Sequence, residues 1–264
     1  MFADGNYALL SPMFQPVGGM DKIAEAFRRE VEDITRFDAK IIAIHQNKHR
    51  VTVQYTKGAD RQVTSADWCV CCIPLSVLRK LELTISPPMA AAINAVPYLH
   101  ATKIGLQMKR RFWEQDHAIY GGITHTNLPI HSIGYPCFGY GEHGKGVLLG
   151  AYAISDPERF DFAEFSPSER IAKAVQWGSV IHPQLQSEFE NGMAVSWQHN
   201  PSTLGCFSYW SDDVRRLNYR DLCAIDGRIL LAGEHISYLS GWQEGAILSA
   251  LDAVKRLHSH VLAH

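Results

Sequence analysis

Leu230-Leu231-Ala232-Gly233-Glu234-His235, then Ser237 to Gly241, then Trp242-Gln243-Glu244-Gly245-Ala246-Ile247, is the stretch whose reading decides the fold. The run Arg228 to Ala232 is continuous in apolar residues after its first position, the pattern of a strand buried on both faces. The small residues that follow read as a turn, and Trp242 to Val261 as the longest helix of the chain. Gly233 lets the backbone approach a neighbour closely. The helix start near Trp242 presents unpaired N–H groups and the positive end of a dipole. Such a terminus can stabilise an anion, including negative charge developing on a ring system. Gly245 and Ala246 permit close packing at that first turn. An ordinary β–α unit with a Gly-containing turn has the same spacing, so spacing alone does not separate the two readings.

Working outward, the chain has 264 residues, 46% of them hydrophobic and 20% charged. That is the composition of one large globular domain or two small ones, and it excludes a disordered tail, a collagen-like fibre and a coiled coil. Lys+Arg is 25 against Asp+Glu 27, a formal net charge of -2. No block of basic residues is present, so neither a nucleic-acid groove nor a polybasic membrane patch is expected. The longest apolar runs, such as Gly146 to Ile154, fall far short of the roughly 18 residues a transmembrane helix needs. The N-terminal stretch through Phe14 carries no basic n-region, so no signal peptide and a cytoplasmic location are expected.

The six cysteines, Cys69, Cys71, Cys72, Cys137, Cys206 and Cys223, show no C-x2-C pairing of the zinc type. They read as buried free thiols acting as small hydrophobes, and no metal site is expected. His125, His199 and His235 read as local hydrogen-bonding residues. A helix is expected over Met20 to Val31, with Ile23, Ala26 and Phe27 on helical spacing, and another over Met89 to Val96. Strands are expected at Lys40 to Ile44, Arg50 to Tyr55, Ala66 to Ile73 and Thr102 to Met108. Sheet is expected between Tyr120 and Tyr152, and extended aromatic segments at Val195 to Trp197 and Gly205 to Trp210. Ser166-Pro167-Ser168-Glu169 reads as a capping box leading into a helix at Ile171 to Ile181.

Ala232-Gly233-Glu234-His235 followed by Gly241-Trp242-Gln243-Glu244-Gly245-Ala246 resembles the C-terminal signature of flavin-containing amine oxidases, most of all the L-amino-acid oxidases. The resemblance extends over nearly the whole chain. Gly18 to Lys22 is similar to the family's re-entry into the FAD domain, and Ile73-Pro74 and Ile85 to Pro88 to later landmarks. His100-Ala101-Thr102-Lys103-Ile104, ahead of Phe112-Trp113, is similar to the segment that carries the active-site lysine.

The resemblance implies an α+β fold. A partial FAD-binding domain, Rossmann-like and of the glutathione-reductase type, would be built from residues 1–93 and 223–264. It would interleave with a mixed β-sheet substrate domain at 94–222, flanked by helices. It also implies FAD as cofactor. Ile41 would flank the adenine, Gly233 and Glu234 would meet the ribityl–pyrophosphate portion, and Trp197 would pack near the flavin. Trp242, Gln243 and Glu244, at the helix start, would face the flavin N1–C2=O edge. Lys103 would hold a water near flavin N5. Tyr152 would donate to the substrate carboxylate, with Phe207, Gly241 and Trp242 walling the substrate.

The reaction implied is oxidative deamination of L-amino acids to 2-oxo acids, ammonia and hydrogen peroxide, with a small-molecule substrate and dioxygen as partners. A monoamine or polyamine oxidase is the alternative within the class. Gly134 stands where some amino-acid oxidases carry a second active-site Tyr, and Tyr135 would face the other side of its strand. The family's N-terminal βαβ unit with G-x-G-x-x-G is not in this sequence. The chain is therefore expected to represent the C-terminal portion of such an enzyme and to bind FAD poorly alone. A non-catalytic fragment needing a separate N-terminal chain, or a homodimer, is the further alternative.

Overall fold

The structure is a computed structural model that describes residues 14–155 and 161–263. Residues 1–13, which carry most of the reading on a signal peptide, lie outside them. The described chain falls into two compact units, residues 14–42 with 54–63, and 43–53 with the remainder from 64 onward.

In the smaller unit, α1 (Asp21–Val31) forms where the spacing predicts a helix, yet none of its residues is buried. Phe27 is 59% exposed. Ion pairs one turn apart, Lys22–Glu25 at 3.0 Å and Arg28–Glu32 at 2.7 Å, support it, each by a few tenths of a kcal/mol. Three strands follow in the chain and are divided between the two units, β1 (Lys40–Gln46), β2 (Val51–Lys57) and β3 (Asp60–Ala66), of which β2 and β3 are neighbours across the turn at Gly58.

The larger unit runs through β4 (Cys69–Cys71), α2 (Leu75–Leu78), β5 (Glu82–Leu83) and α3 (Pro87–Ala95) into its longest strand, β6 (Tyr98–Met108). Then come α4 (Phe112–Gln115), β7 (Ile123–His125), β8 (Ser132–Gly134) and β9 (Gly146–Ser155). α5 (Pro167–Ile181), α6 (Gln184–Glu188), β10 (Phe189–Ser196), β11 (Phe207–Ser208), α7 (Asp212–Leu222), β12 (Ile229–Leu231) and α8 (Gln243–Ala263) complete it. The mixture of helix and sheet is α+β.

The main sheet has the order β10-β6-β9-β8-β7, with β11 pairing the start of β6 at Phe207↔Leu99. Strand β6 alternates: Ile104, Leu106 and Met108 are fully buried, while Lys103, Gly105 and Gln107 point to the other face. The buried face packs with Phe112, Trp113, Leu148 and Phe162, and with Ala174 of α5. α5 begins at the expected capping box, Ser166 and Glu169 each bonding the other's backbone. Tyr135, just after β8, also lies in this core, its hydroxyl 2.8 Å from Thr124 Oγ1 and 2.6 Å from His182 Nε2.

The segment expected as one buried strand, Ala66 to Ile73, is interrupted. Ala66 ends β3, Cys69–Cys71 pairs in parallel with β12, and the chain turns out at Cys72 before Pro74 caps α2. Of the six thiols expected to be buried only Cys71 is; Cys69, Cys206 and Cys223 are partly buried, and Cys72 and Cys137 are exposed. β12 is buried at all three positions, as its apolar run requires. Helix α7 was not expected. Only Leu222 of its residues is buried.

Candidate active site

Lys103 stands at the middle of β6, opposite Tyr152 of β9 and Val195 of β10. Its Nζ lies 4.5 Å from the centroid of the Tyr152 ring, a cation–π contact. An interior strand flanked on both sides carries this lysine, so it is not an edge residue kept for solubility. A groove of about 390 Å³ runs over the same face, lined by Lys103, Gly105, Gln107, Val147 and Met193. Tyr152 is half-buried; burial pushes its phenol above the ordinary value, and the Cys206 charge adds to the rise. Its O–H therefore stays a donor over the neutral range.

Cys206 is the residue that sequence reasoning missed here. Burial pushes its thiol up, the Lys103 charge pulls it down and the Glu234 charge raises it again. It thus lies in the electrostatic reach of the groups the resemblance selected. The signal available was its position immediately before Phe207, which the cysteine reading passed over.

A second constellation forms around Glu234. Its Oε1 accepts from the Ser208 N–H at 3.0 Å, and its Oε2 accepts from the Ser208 hydroxyl at 3.0 Å and from the Gly241 N–H at 2.9 Å. Burial raises this carboxyl above the usual carboxylate range, and the donors from Gly241 and Ser208 pull it back. Gly241 adopts φ +79, and a Cβ there would stand 3.2 Å from Cγ and Cδ2 of Phe207. Phe207 and Gly241, both expected beside the substrate, are therefore in direct contact. Trp242 follows Gly241 and is 60% exposed, and Gln243 and Glu244 are exposed beside it.

The strand–turn–helix closes as tightly as its small residues suggest. A Cβ on Gly245 would lie 2.1 Å from the Leu239 carbonyl oxygen and 2.6 Å from Ser237 Oγ. Gly233 is at φ +126, its N–H donating to Ser249 Oγ at 3.1 Å, and the space its missing side chain leaves is filled by the His235 ring. The expectation that His235 is a hydrogen-bonding residue is corrected at its Nε2, which is buried without a partner among the described residues. Burial pushes the ring down to about 4. Across the turn, the Arg215 guanidinium sits over Trp210, Tyr219 and Tyr238 at 4.8, 5.1 and 4.8 Å and donates to Ser237 O at 3.3 Å.

Trp197 is not in an extended segment. It opens a short 3-10 turn at the end of β10, partly buried, and its carbonyl accepts from the Thr203 hydroxyl. Ile41 is partly buried in the smaller unit.

The chemistry of this donor set fits a flavin. The first backbone N–H groups of α8 have no intrahelical acceptor, and Trp242, Gln243 and Glu244 leave that helix start open.

The family model for flavin containing amine oxidoreductases matches residues 3–258. A putative L-amino-acid oxidase of Bacillus subtilis (strain 168) is 31% identical over 245 residues, covering 90% of this chain and 51% of its own. The L-amino-acid oxidase of Vipera ammodytes ammodytes is 30% identical over 246 residues, covering 90% of this chain and 50% of its own. Among solved structures, a putrescine oxidase variant superposes with TM-score 0.77 at 15% identity, covering 92% of this chain and 53% of that one. Cyclohexylamine oxidase from Brevibacterium oxydans IH-35A gives 0.74 at 15% identity, covering 91% and 53%. The chain thus spans about half the length of the curated relatives it matches. Matched along nearly its whole length and built on the same fold, the chain belongs to the flavin-containing amine oxidoreductase family.

Proposed function

We propose that this chain provides the substrate-facing sheet and the flavin-facing helix start of an enzyme that oxidatively deaminates L-amino acids. The observation that carries the reading is the pairing of Lys103 with Tyr152 on the open face of the main sheet. A fixed cation beside a phenol donor attracts a carboxylate and repels an alkylammonium. An amino acid brings that carboxylate; a simple amine does not. The relatives at about 30% identity named L-amino-acid oxidases support the same choice.

In this reading FAD, when bound, accepts the two electrons that leave the substrate α-carbon with its hydrogen and passes them to dioxygen, giving hydrogen peroxide. Tyr152 donates its O–H to the substrate carboxylate. Lys103 holds one ordered water with its ammonium. Phe207 and Trp242 form apolar walls that keep other water from the reacting carbon. The resulting imine is hydrolysed by water to the 2-oxo acid and ammonia. The cradle for the cofactor pyrophosphate is assigned to a Gly-rich βαβ unit, which these 264 residues do not contain.

A peroxide assay over a panel of L-amino acids and their decarboxylated amines tests this on the protein purified with its flavin. Oxidation of the amino acids alone or far faster is expected. Equal or faster oxidation of monoamines or polyamines would replace the reading with the amine-oxidase one, and no peroxide from either would favour a non-catalytic role.

A further inference from the structure

We propose that Glu234 is a positioning residue that fixes the gap between Phe207 and the Trp242 turn, by tying Ser208 and Gly241 to one carboxylate. The inference rests on the oxidase reading only in naming those two aromatic residues as substrate walls. The geometry itself is independent of it. Each wall is one residue from an anchor: Phe207 precedes Ser208, and Trp242 follows Gly241. Ser208 is fully buried, and its hydroxyl both donates to Glu234 Oε2 and accepts from Trp210 Nε1 at 3.2 Å. The Ser208 backbone N–H is bound to Glu234 Oε1. The other anchor, the Gly241 N–H, shares Oε2 with the Ser208 hydroxyl.

Three donors from two distant segments thus converge on one side chain, and the Phe207 ring lies against Gly241 where any larger residue would displace it. β11 is only two residues long and is paired to the start of β6 alone, while the turn after Ser237 has little regular structure, so no backbone ladder joins β11 to that turn. The carboxylate supplies that link between the two segments. Both of its oxygens accept from protein donors, which holds the carboxylate between the two segments.

Glu234→Gln tests this by amide hydrogen exchange on the full chain. The amide N–H group of the variant cannot accept from a donor, so one anchor must be released. Exchange at Ser208 or Gly241, whichever N–H loses its acceptor, is expected to quicken about tenfold or more, with the amides of β6 and β9 unchanged. Unchanged exchange at Ser208 and Gly241, or a uniform rise through β6 and β9, would overturn the positioning role. Ser208→Ala provides the milder perturbation should Glu234→Gln fail to fold. It is expected to quicken Gly241 exchange a few-fold, and no change there would also overturn the proposal. In the flavin-bearing protein the KM for an amino acid should rise about tenfold with kcat within about threefold. Absence of wild-type peroxide would sink the oxidase reading alone, because the exchange result decides the positioning role without it.

Discussion

Adding one methyl group at Gly245 should destabilise the protein, although the position is helical. Alanine is the better helix former by about 1 kcal/mol, so an open site would gain stability. Here the new Cβ would stand 2.1 Å from the Leu239 carbonyl oxygen. The carbonyl would have to withdraw by about 1 Å, and a close-packed interior does not absorb that freely. The turn that carries it cannot yield alone. The Leu239 N–H is bonded to Ser237 Oγ at 2.9 Å, and the Gly241 N–H to Glu234. Overpacking of this kind costs about 1–3 kcal/mol, occasionally more. Set against the helix gain, a net loss of up to about 2 kcal/mol remains, and each kcal/mol lowers the melting temperature by about 2–4 °C at this chain size. Gly178→Ala is the matched control. It too is a buried helical glycine, but its Cβ would meet the Leu185 Cδ1 at 2.8 Å, the far end of a side chain that can turn aside, and the Ile133 Cδ1 at an ordinary 3.9 Å. Thermal unfolding followed by circular dichroism should show Gly245→Ala melting several degrees below Gly178→Ala. Equal melting temperatures, or a Gly245→Ala protein more stable than the parent, would refute the tight closure of the turn.

Other outcomes follow from the same geometry. Tyr152→Phe should lower kcat/KM for L-amino acids about 10–100-fold, the loss of one hydrogen bond to a charged group, and leave oxidation of decarboxylated amines unchanged; equal losses would remove the carboxylate role. Arg215→Met should cost about 1–2 kcal/mol in denaturant unfolding, since the guanidinium contacts three rings and the Ser237 carbonyl; a cost below about 0.5 kcal/mol would show that it does not hold the turn. His235 is pushed down to about 4 by burial. The unfolded chain therefore binds its proton first, and stability is lost as pH falls from the ordinary histidine value near 6.5 toward 4, by up to about 3 kcal/mol. His235→Leu should lose less stability than the parent between pH 7 and pH 5, measured as the shift in denaturation midpoint. An identical shift in both proteins would contradict the assignment. The 264-residue chain expressed alone should lose added FAD on gel filtration, and a stoichiometrically yellow chain would overturn the assignment of the pyrophosphate cradle elsewhere.

Much of this was legible locally. Ser166 and Glu169 announce their helix because a cap is a four-residue event. β12 declares itself because three consecutive apolar residues must all be covered. The close turn before α8 is written in Gly241 and Gly245. What the sequence does not show is long-range convergence. The cationic contact of Lys103 with Tyr152 depends on a register set over strands 49 residues apart in the chain, and the bond from Ser208 to Glu234 spans 26 residues. The periodic helix α1 carries its stripe exposed, since period alone says nothing of what covers a face. Helix α7 is hard to read locally because charged residues fill its turns and only Leu222 is fully buried. Trp197 was read as extended because its neighbours Val195 and Ser196 are, and a strand ends without a local mark there.

The most direct measurement is the visible spectrum of the flavin-bearing protein, purified from its own cells, during anaerobic addition of single substrates. L-amino acids should bleach the oxidised flavin bands at least about tenfold faster than their decarboxylated amines, and Tyr152→Phe should erase that difference. Bands that amino acids leave untouched, or that amines bleach as fast, would contradict the Lys103–Tyr152 pair as the seat of carboxylate recognition.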